Sequence, residues 1–279
     1  MVNIMNNKKE NDGIRLGAAS KINKAKKPKN ISRIHANSLF KFMNKFEYLT
    51  EALERKEITP RYVIEDVKYL KIKNINNMAY PMICFCDINM HNLDMHVEKY
   101  GSFGIAFSKE WGKLKKIQPV QYINPKSRLR EDFSWVFRNA LKSVEKEKTK
   151  NEQLYENFIL HEVMYYKPYE GKEHRELYCY ANECEWRYIP DVSEYGYPQV
   201  IHDPRALDIS NLTEVSNSLK LISGVGLNFE YGDIKYLIVD DNESLYNLVE
   251  TINSLDVDNN MKNLLISKIV IWESSKEDF

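Results

Sequence analysis

Residues 80–90 read YPMICFCDINM, and this stretch limits the fold more than any other. A nearly continuous apolar run of this length, rich in aromatic and branched residues, is a central strand of a sheet. It is far too short to cross a bilayer, which takes roughly 20 apolar residues, and no other run in the chain is longer. The remaining segments must therefore supply neighbours for this strand. SLFKFM, GSFGIAFSKEW, PVQYIN, DIKYLIVDD and IVIWES read as further strands, and LHEVMYYKPYEG with LYCYANECEWRYIP as a hairpin or strand pair.

Helical periodicity fills the gaps. In KFEYLTEALERKEI, Phe46, Leu49 and Leu53 share one face, and Asn44 with Glu47 three residues later forms a capping-box pattern. TPRYVIEDVKYL follows, with Pro60 at a turn or a helix start. HNLDMHVEKY is a short helix stopped by Gly101. From Glu131 to His161 the chain reads as one long charged helical segment, with EKEKTKNEQ as an exposed end or a connection. ESLYNLVETINSL and NNMKNLLISK are two more amphipathic helices. Strands and helices alternate irregularly and nothing repeats. The expected fold class is α+β, a single domain around a mixed, mainly antiparallel sheet with flanking helices.

The 40 Lys and Arg balance the 40 Asp and Glu across 279 residues, so net charge points neither to nucleic acid nor to a membrane surface. The distribution is uneven. Nine cations up to Arg33 face only Glu10 and Asp12, which makes residues 1–30 a flexible basic arm and residues 31–279 the folded domain. The arm is either a solvated tail or a contact for nucleic acid or an acidic protein. No apolar signal region opens the chain, so a cytosolic protein with free thiols is expected.

No Walker A loop, GxSxG elbow, HExxH or Rossmann glycine pattern occurs. Cys84, Cys86, His91 and His96 fall within a short span, but C-x-C on a strand holds its thiols about 7 Å apart, unlike the turn-borne pairs of zinc sites. Cys179 and Cys184 would face opposite ways on one strand. Buried free cysteines are expected. In YANECEWRYIP, strand alternation puts Glu183, Glu185 and Arg187 on one face and Cys184, Trp186 and Tyr188 on the other. Such a row is either a structural ion pair or the working edge of a site, and the structural reading is preferred. Lys41, Arg61 and Lys109 stand among apolar neighbours. Lys41 interrupts LFKFM opposite Phe40 and Phe42, where a solvent-facing side chain is expected.

Pro81, Cys84, Phe85, Cys86 and Asp87, then Tyr100, Gly101, Phe103, Gly104, Ser108, Lys109 and Trp111, then Glu185, Trp186 and Arg187 carry a resemblance to the AbiGi family. SLFKFMNKFEYLTEALERKEITPRY resembles its opening strand and helix, and DIKYLIVDD with the last helices its C-terminal end. The resemblance implies a role in bacterial abortive infection against phage. It also implies an antitoxin-like place in a two-gene module whose toxin is nucleotidyltransferase-like, and hence a partner toxin encoded nearby. A second resemblance, of layout, is to DarT-type ADP-ribosyltransferases. It aligns LFKFM with their opening strand and ECEWR with the strand of their catalytic Glu. On that reading Glu185, with Glu183, is catalytic, and Lys41, Arg61, Tyr100, Lys109 and Arg187 bind substrate or cofactor. NAD would be the cofactor, and no residue ligates a metal. Lys41 departs from the pattern, standing where those enzymes place a His, unless His35 serves from a shifted register. A plain DNA-binding repressor rests only on the basic arm, since no helix-turn-helix with a basic recognition helix is present.

Overall fold

The computed structural model describes residues 36–142, 149–173, 176–203 and 205–276. The basic arm and His35 lie outside the described residues. The chain opens with β1 (Ser38–Met43), α1 (Phe46–Arg55), β2 (Glu57–Ile58), β3 (Arg61–Asp66) and the long β4 (Asn77–Cys86). Then come α2 (Asp94–Tyr100), β5 (Phe103–Ser108), α3 (Lys109–Leu114), β6 (Gln118–Pro119) and β7 (Gln121–Ile123). The middle holds α4 (Arg128–Lys142), α5 (Lys150–Glu162), β8 (Tyr166–Pro168), β9 (Gly171–Glu173), β10 (Glu176–Tyr178) and β11 (Glu185–Tyr188). The last third is α6 (Ile209–Leu219), β12 (Leu227–Asn228), β13 (Ile234–Val239), α7 (Asn242–Ser254), α8 (Asn259–Ile266), β14 (Ile269–Ile271) and α9 (Trp272–Ser275).

YPMICFCDINM is the central strand that its composition requires. The main sheet runs β14-β13-β5-β1-β4-β11-β6, with β3 also on β4. Every pairing in it is antiparallel except that of β13 with β14. One face buries Leu39, Ile83, Phe85, Ile105, Phe107 and Leu237 under α1, α7 and α8, through Leu49, Leu53, Leu248, Ile252 and Leu265. The other packs Phe40, Phe42, Cys86, Ala106 and Ile238 on Leu93, Val97 and Trp272. Each such side chain contributes roughly 1.5–3 kcal/mol on burial, so this two-sided core holds the sheet.

β4 is shared in a way that shapes the molecule. Cys86 sits between Phe40 of β1 and Glu185 of β11, and Ala79 between Ile64 of β3 and Ile201. The amides of Ala79 and Asp87 donate to the carbonyls of Ile201 and Cys184. Both amides thus face the β11 side, and β1 and β3 occupy the opposite edge in succession. β1 leaves β4 after its one pair, while β3 takes over at Met82. A fork opens between Lys41–Asn44 and Glu57–Arg61.

Several local expectations change in context. α1 has Lys45, not Asn44, before its first turn, and no side chain caps it. Its entry is set by packing instead, since Phe46 meets Phe103 with ring centroids 5.6 Å apart and the Asn44 backbone lies against Gly101. Gly101 is at φ 103°, and a Cβ there would strike the Met43 carbonyl and Asn44. Pro60 precedes a strand. GSFGIAFSKEW stops being a strand at Ser108, whose Oγ accepts from the Trp111 amide at 3.1 Å and starts α3. The long helical segment is two helices, because Thr149 and Glu152 form a capping box that begins α5 anew. β8 pairs parallel with β7, whereas β9 and β10 form an antiparallel pair of their own, so neither β8 nor β9 pairs with β11.

Candidate functional site

YANECEWRYIP is not one strand. Residues 180–183 form a 3₁₀ turn and Cys184 takes a left-handed conformation at φ 43°, so β11 starts at Glu185. Glu185 and Arg187 share a strand face as alternation requires. Glu183 reaches the same group from the turn, drawn there by its partners.

The cluster is built around Arg187, which has no exposed surface. Its Nε donates to Glu185 Oε1 at 2.7 Å and its Nη2 to Glu185 Oε2 at 3.3 Å. Nη1 donates to the Met164 carbonyl at 2.7 Å and to the Tyr80 hydroxyl at 3.2 Å. Nη2 also pairs with Glu65 Oε1 at 3.2 Å. Lys167, from β8, places its Nζ 2.7 Å from both Glu183 Oε2 and Glu185 Oε2. Glu183 Oε1 accepts from Lys99 at 3.0 Å, Tyr100 at 2.9 Å and Tyr178 at 3.1 Å. Three carboxylates (Glu65, Glu183, Glu185) thus meet three cations (Lys99, Lys167, Arg187), and the charge closes to zero.

Burial by itself would raise the Glu185 carboxyl, but the Arg187 guanidinium and the Lys167 ammonium hold it well below the usual carboxylate range. Glu183 behaves alike: burial opposes its charge, and Lys167 and Lys99 prevail. Burial also works against the charges of Lys167 and Arg187, and the surrounding carboxylates, Glu185 foremost, raise both. Both oxygens of Glu185 are engaged, Oε1 by Arg187 and Oε2 by Arg187 and Lys167, and the side chain is buried. The Tyr100 phenol is raised, first by burial and then by the Glu183 charge, and serves Glu183 as a donor.

The named candidates divide into three places. Glu183, Glu185, Arg187 and Tyr100 belong to the cluster. Lys41 and Arg61 line the fork, a cavity of about 440 Å³ that also includes Lys99 and Tyr100. Lys41 is therefore not the solvent-facing residue that alternation suggested, because β1 has left β4 at that point and the fork walls enclose its side chain. It is half-buried, and burial lowers its ammonium. Lys109 lies apart, paired with Asp87 at 2.6 Å. Among the described residues no three His, Cys, Asp or Glu side chains gather as metal ligands, and the four cysteines are free. Burial raises the Cys84 and Cys86 thiols, so they are not nucleophiles at neutral pH.

Sequence reasoning missed Lys167, Glu65, Tyr80, Lys99 and Tyr178. Lys167 offered the one visible sign, a lone cation in the aromatic stretch MYYKPY. Nothing in its spacing ties it to Glu183 and Glu185.

The family model described as "Putative abortive phage resistance protein AbiGi, antitoxin" matches residues 56–240, a span holding every member of the ion cluster. The "Abortive phage resistance protein AbiGi" of Lactococcus lactis subsp. cremoris is 32% identical over 261 residues, covering 79% of this chain and 98% of that protein. No solved structure matches the chain.

Proposed function

The chain belongs to the AbiGi family of abortive phage resistance proteins, and we propose that it acts in abortive infection by binding a partner toxin through α5. One observation carries this reading. None of the 13 residues of α5 is buried, and Leu154, Tyr155 and Phe158 on one face are 64%, 69% and 57% exposed. Ile159 and Leu160 anchor the helix on the cluster around Val163 and Met164, which leaves the Leu154–Phe158 face uncovered. A contiguous exposed apolar face on a helix suits a hydrophobic groove of another protein. The matching family is described as an antitoxin, which supports a toxin as the partner.

The test is copurification with the toxin encoded beside this gene, comparing the native chain with Tyr155→Ala/Phe158→Ala. Aromatic anchors at such faces commonly account for about 2 kcal/mol each, roughly 30-fold per ring, so the double variant is expected to weaken the complex on the order of 10²–10³-fold. Its melting temperature should be unchanged, because both rings are exposed. A native chain that captures no toxin, or a variant that binds equally well, removes the proposal.

A second reading is ADP-ribosyl transfer from NAD. It is favoured by the meeting of Lys41, Arg61 and Tyr100 at one cavity, with Tyr100 bonded to Glu183. Calorimetric titration with NAD tests it. Saturable binding weakened by Glu185→Gln is the supporting outcome, and absence of binding at ~1 mM, about −4 kcal/mol, removes it.

A further inference from the structure

The fork between β1 and β3 has a charge imbalance that no side chain of the described residues corrects. Six charged residues line the cavity: Lys41, Glu51, Glu57, Arg61, Lys99 and Lys220. Four have partners. Lys220 pairs with Glu51 at 2.7 Å, Glu57 with Arg55 at 3.1 Å, and Lys99 with Glu183 at 3.0 Å. The side chains of Lys41 and Arg61 make no hydrogen bond or ion pair with any described residue, although both residues are half-buried. Both cations line the same cavity; burial lowers the Lys41 ammonium, Cys84, Cys86 and the Glu185 carboxylate oppose that, and the Arg61 guanidinium adds to it. Two unpaired like charges drawn out of water are costly unless an anion joins them.

We propose that the fork binds a small phosphomonoester, with Lys41 and Arg61 gripping the terminal phosphate. The uncompensated charge of two matches a phosphomonoester, which carries about −1.5 to −2 at neutral pH. The planar guanidinium of Arg61 suits two phosphate oxygens at once, and Lys41 supplies a point charge beside it. Met43, Ala52, Ile58 and the ring of Tyr48 give the rest of the cavity an apolar wall, so the ligand has an organic part. Its volume falls in the range of small-molecule sites, about 300–1,000 Å³. The proposal is independent of toxin binding through α5 and differs from the NAD reading, because each NAD phosphate carries an ester and an anhydride link and neither is a terminal monoester.

Calorimetry of the full chain with AMP, adenosine, inorganic phosphate and NAD tests it, with Lys41→Met and Arg61→Gln as variants. AMP should bind saturably and adenosine should not. Each variant should weaken AMP at least ~10-fold, the scale of a charged hydrogen bond. Inorganic phosphate and NAD should each bind at least ~10-fold more weakly than AMP. The melting temperature of Lys41→Met should equal or exceed that of the native chain, since an unpaired cation leaves an apolar wall. No AMP binding at ~1 mM, or AMP binding unaltered in both variants, overturns the proposal. Phosphate binding as tightly as AMP overturns the phosphomonoester assignment. NAD binding as tightly as AMP also overturns it, and leaves the transferase reading in place.

Discussion

Arg187→Met is expected to destabilise the protein by about 3–5 kcal/mol, the cost of leaving a buried carboxylate without its partner. Arg187 is fully buried and neutralises Glu185 and Glu65 while satisfying the Tyr80 hydroxyl and the Met164 carbonyl. Methionine fills much of the space and supplies none of the five donors. Against a typical total stability of about 5–15 kcal/mol, the loss would leave the chain marginally folded. Arg187→Lys should recover little, since an ammonium cannot reproduce the fork that reaches Glu185 at both oxygens. The double change Arg187→Met/Glu185→Leu should cost clearly less than Arg187→Met alone, because it removes both charges together. Denaturant midpoints of the three variants measure this. A single-variant loss below ~1 kcal/mol, or a double variant no better than the single, would show that the cluster does not hold the fold.

Stability should fall on acidification in two stages. His96 is pressed between Phe42 and Tyr100, with centroids 5.6 Å and 4.5 Å away. Burial lowers it from 6.5 to about 4, Glu183 and Glu185 opposing and Lys41 and Lys99 assisting. Between these values the unfolded chain binds a proton that the folded chain refuses. The stability present above pH 6.5 is therefore lost as the pH falls toward 4, by roughly 3 kcal/mol in all. Glu183 and Glu185 act below that window. Their folded pKa values lie under the unfolded value of 4.5, so their contribution is complete above 4.5 and drains away as the pH falls through the folded values. Unfolding free energy measured from pH 7 to 3 should slope first gently and then steeply. His96→Phe should flatten the upper part alone. A native chain equally stable at pH 7 and pH 4.5 contradicts the His96 assignment.

Much of the secondary structure was legible because its signals are local. The apolar run at β4, the alternation in SLFKFM and the glycine that ends α2 each act within a few residues. Where a local signal met a tertiary contact, the contact won. Asn44 lost its capping role to the packing of Phe46 on Phe103 and the close approach of Gly101. The E-x-E-x-R row was read correctly at Glu185 and Arg187, which share a strand face. It failed at Glu183, because nothing nearby announces the left-handed turn at Cys184. Lys41 shows the reverse case, where alternation assigned the right face but not the burial. Its burial follows from β1 parting from β4, and that depends on where β3 begins.

The sequence by itself determined the mainly antiparallel sheet and its central strand, since periodicity and composition dictate which segments must be covered, and its motifs carried the resemblance to the family. Only the tertiary structure decided which charges meet. Lys99 reaches Glu183 across 84 residues and Arg187 reaches Tyr80 across 107, and no spacing rule spans such separations. It also decided that the side chains of two cations, Lys41 and Arg61, would find no partner among the described residues. A charge is paired or left unpaired by the positions of every neighbour, and those positions exist only once the sheet has forked.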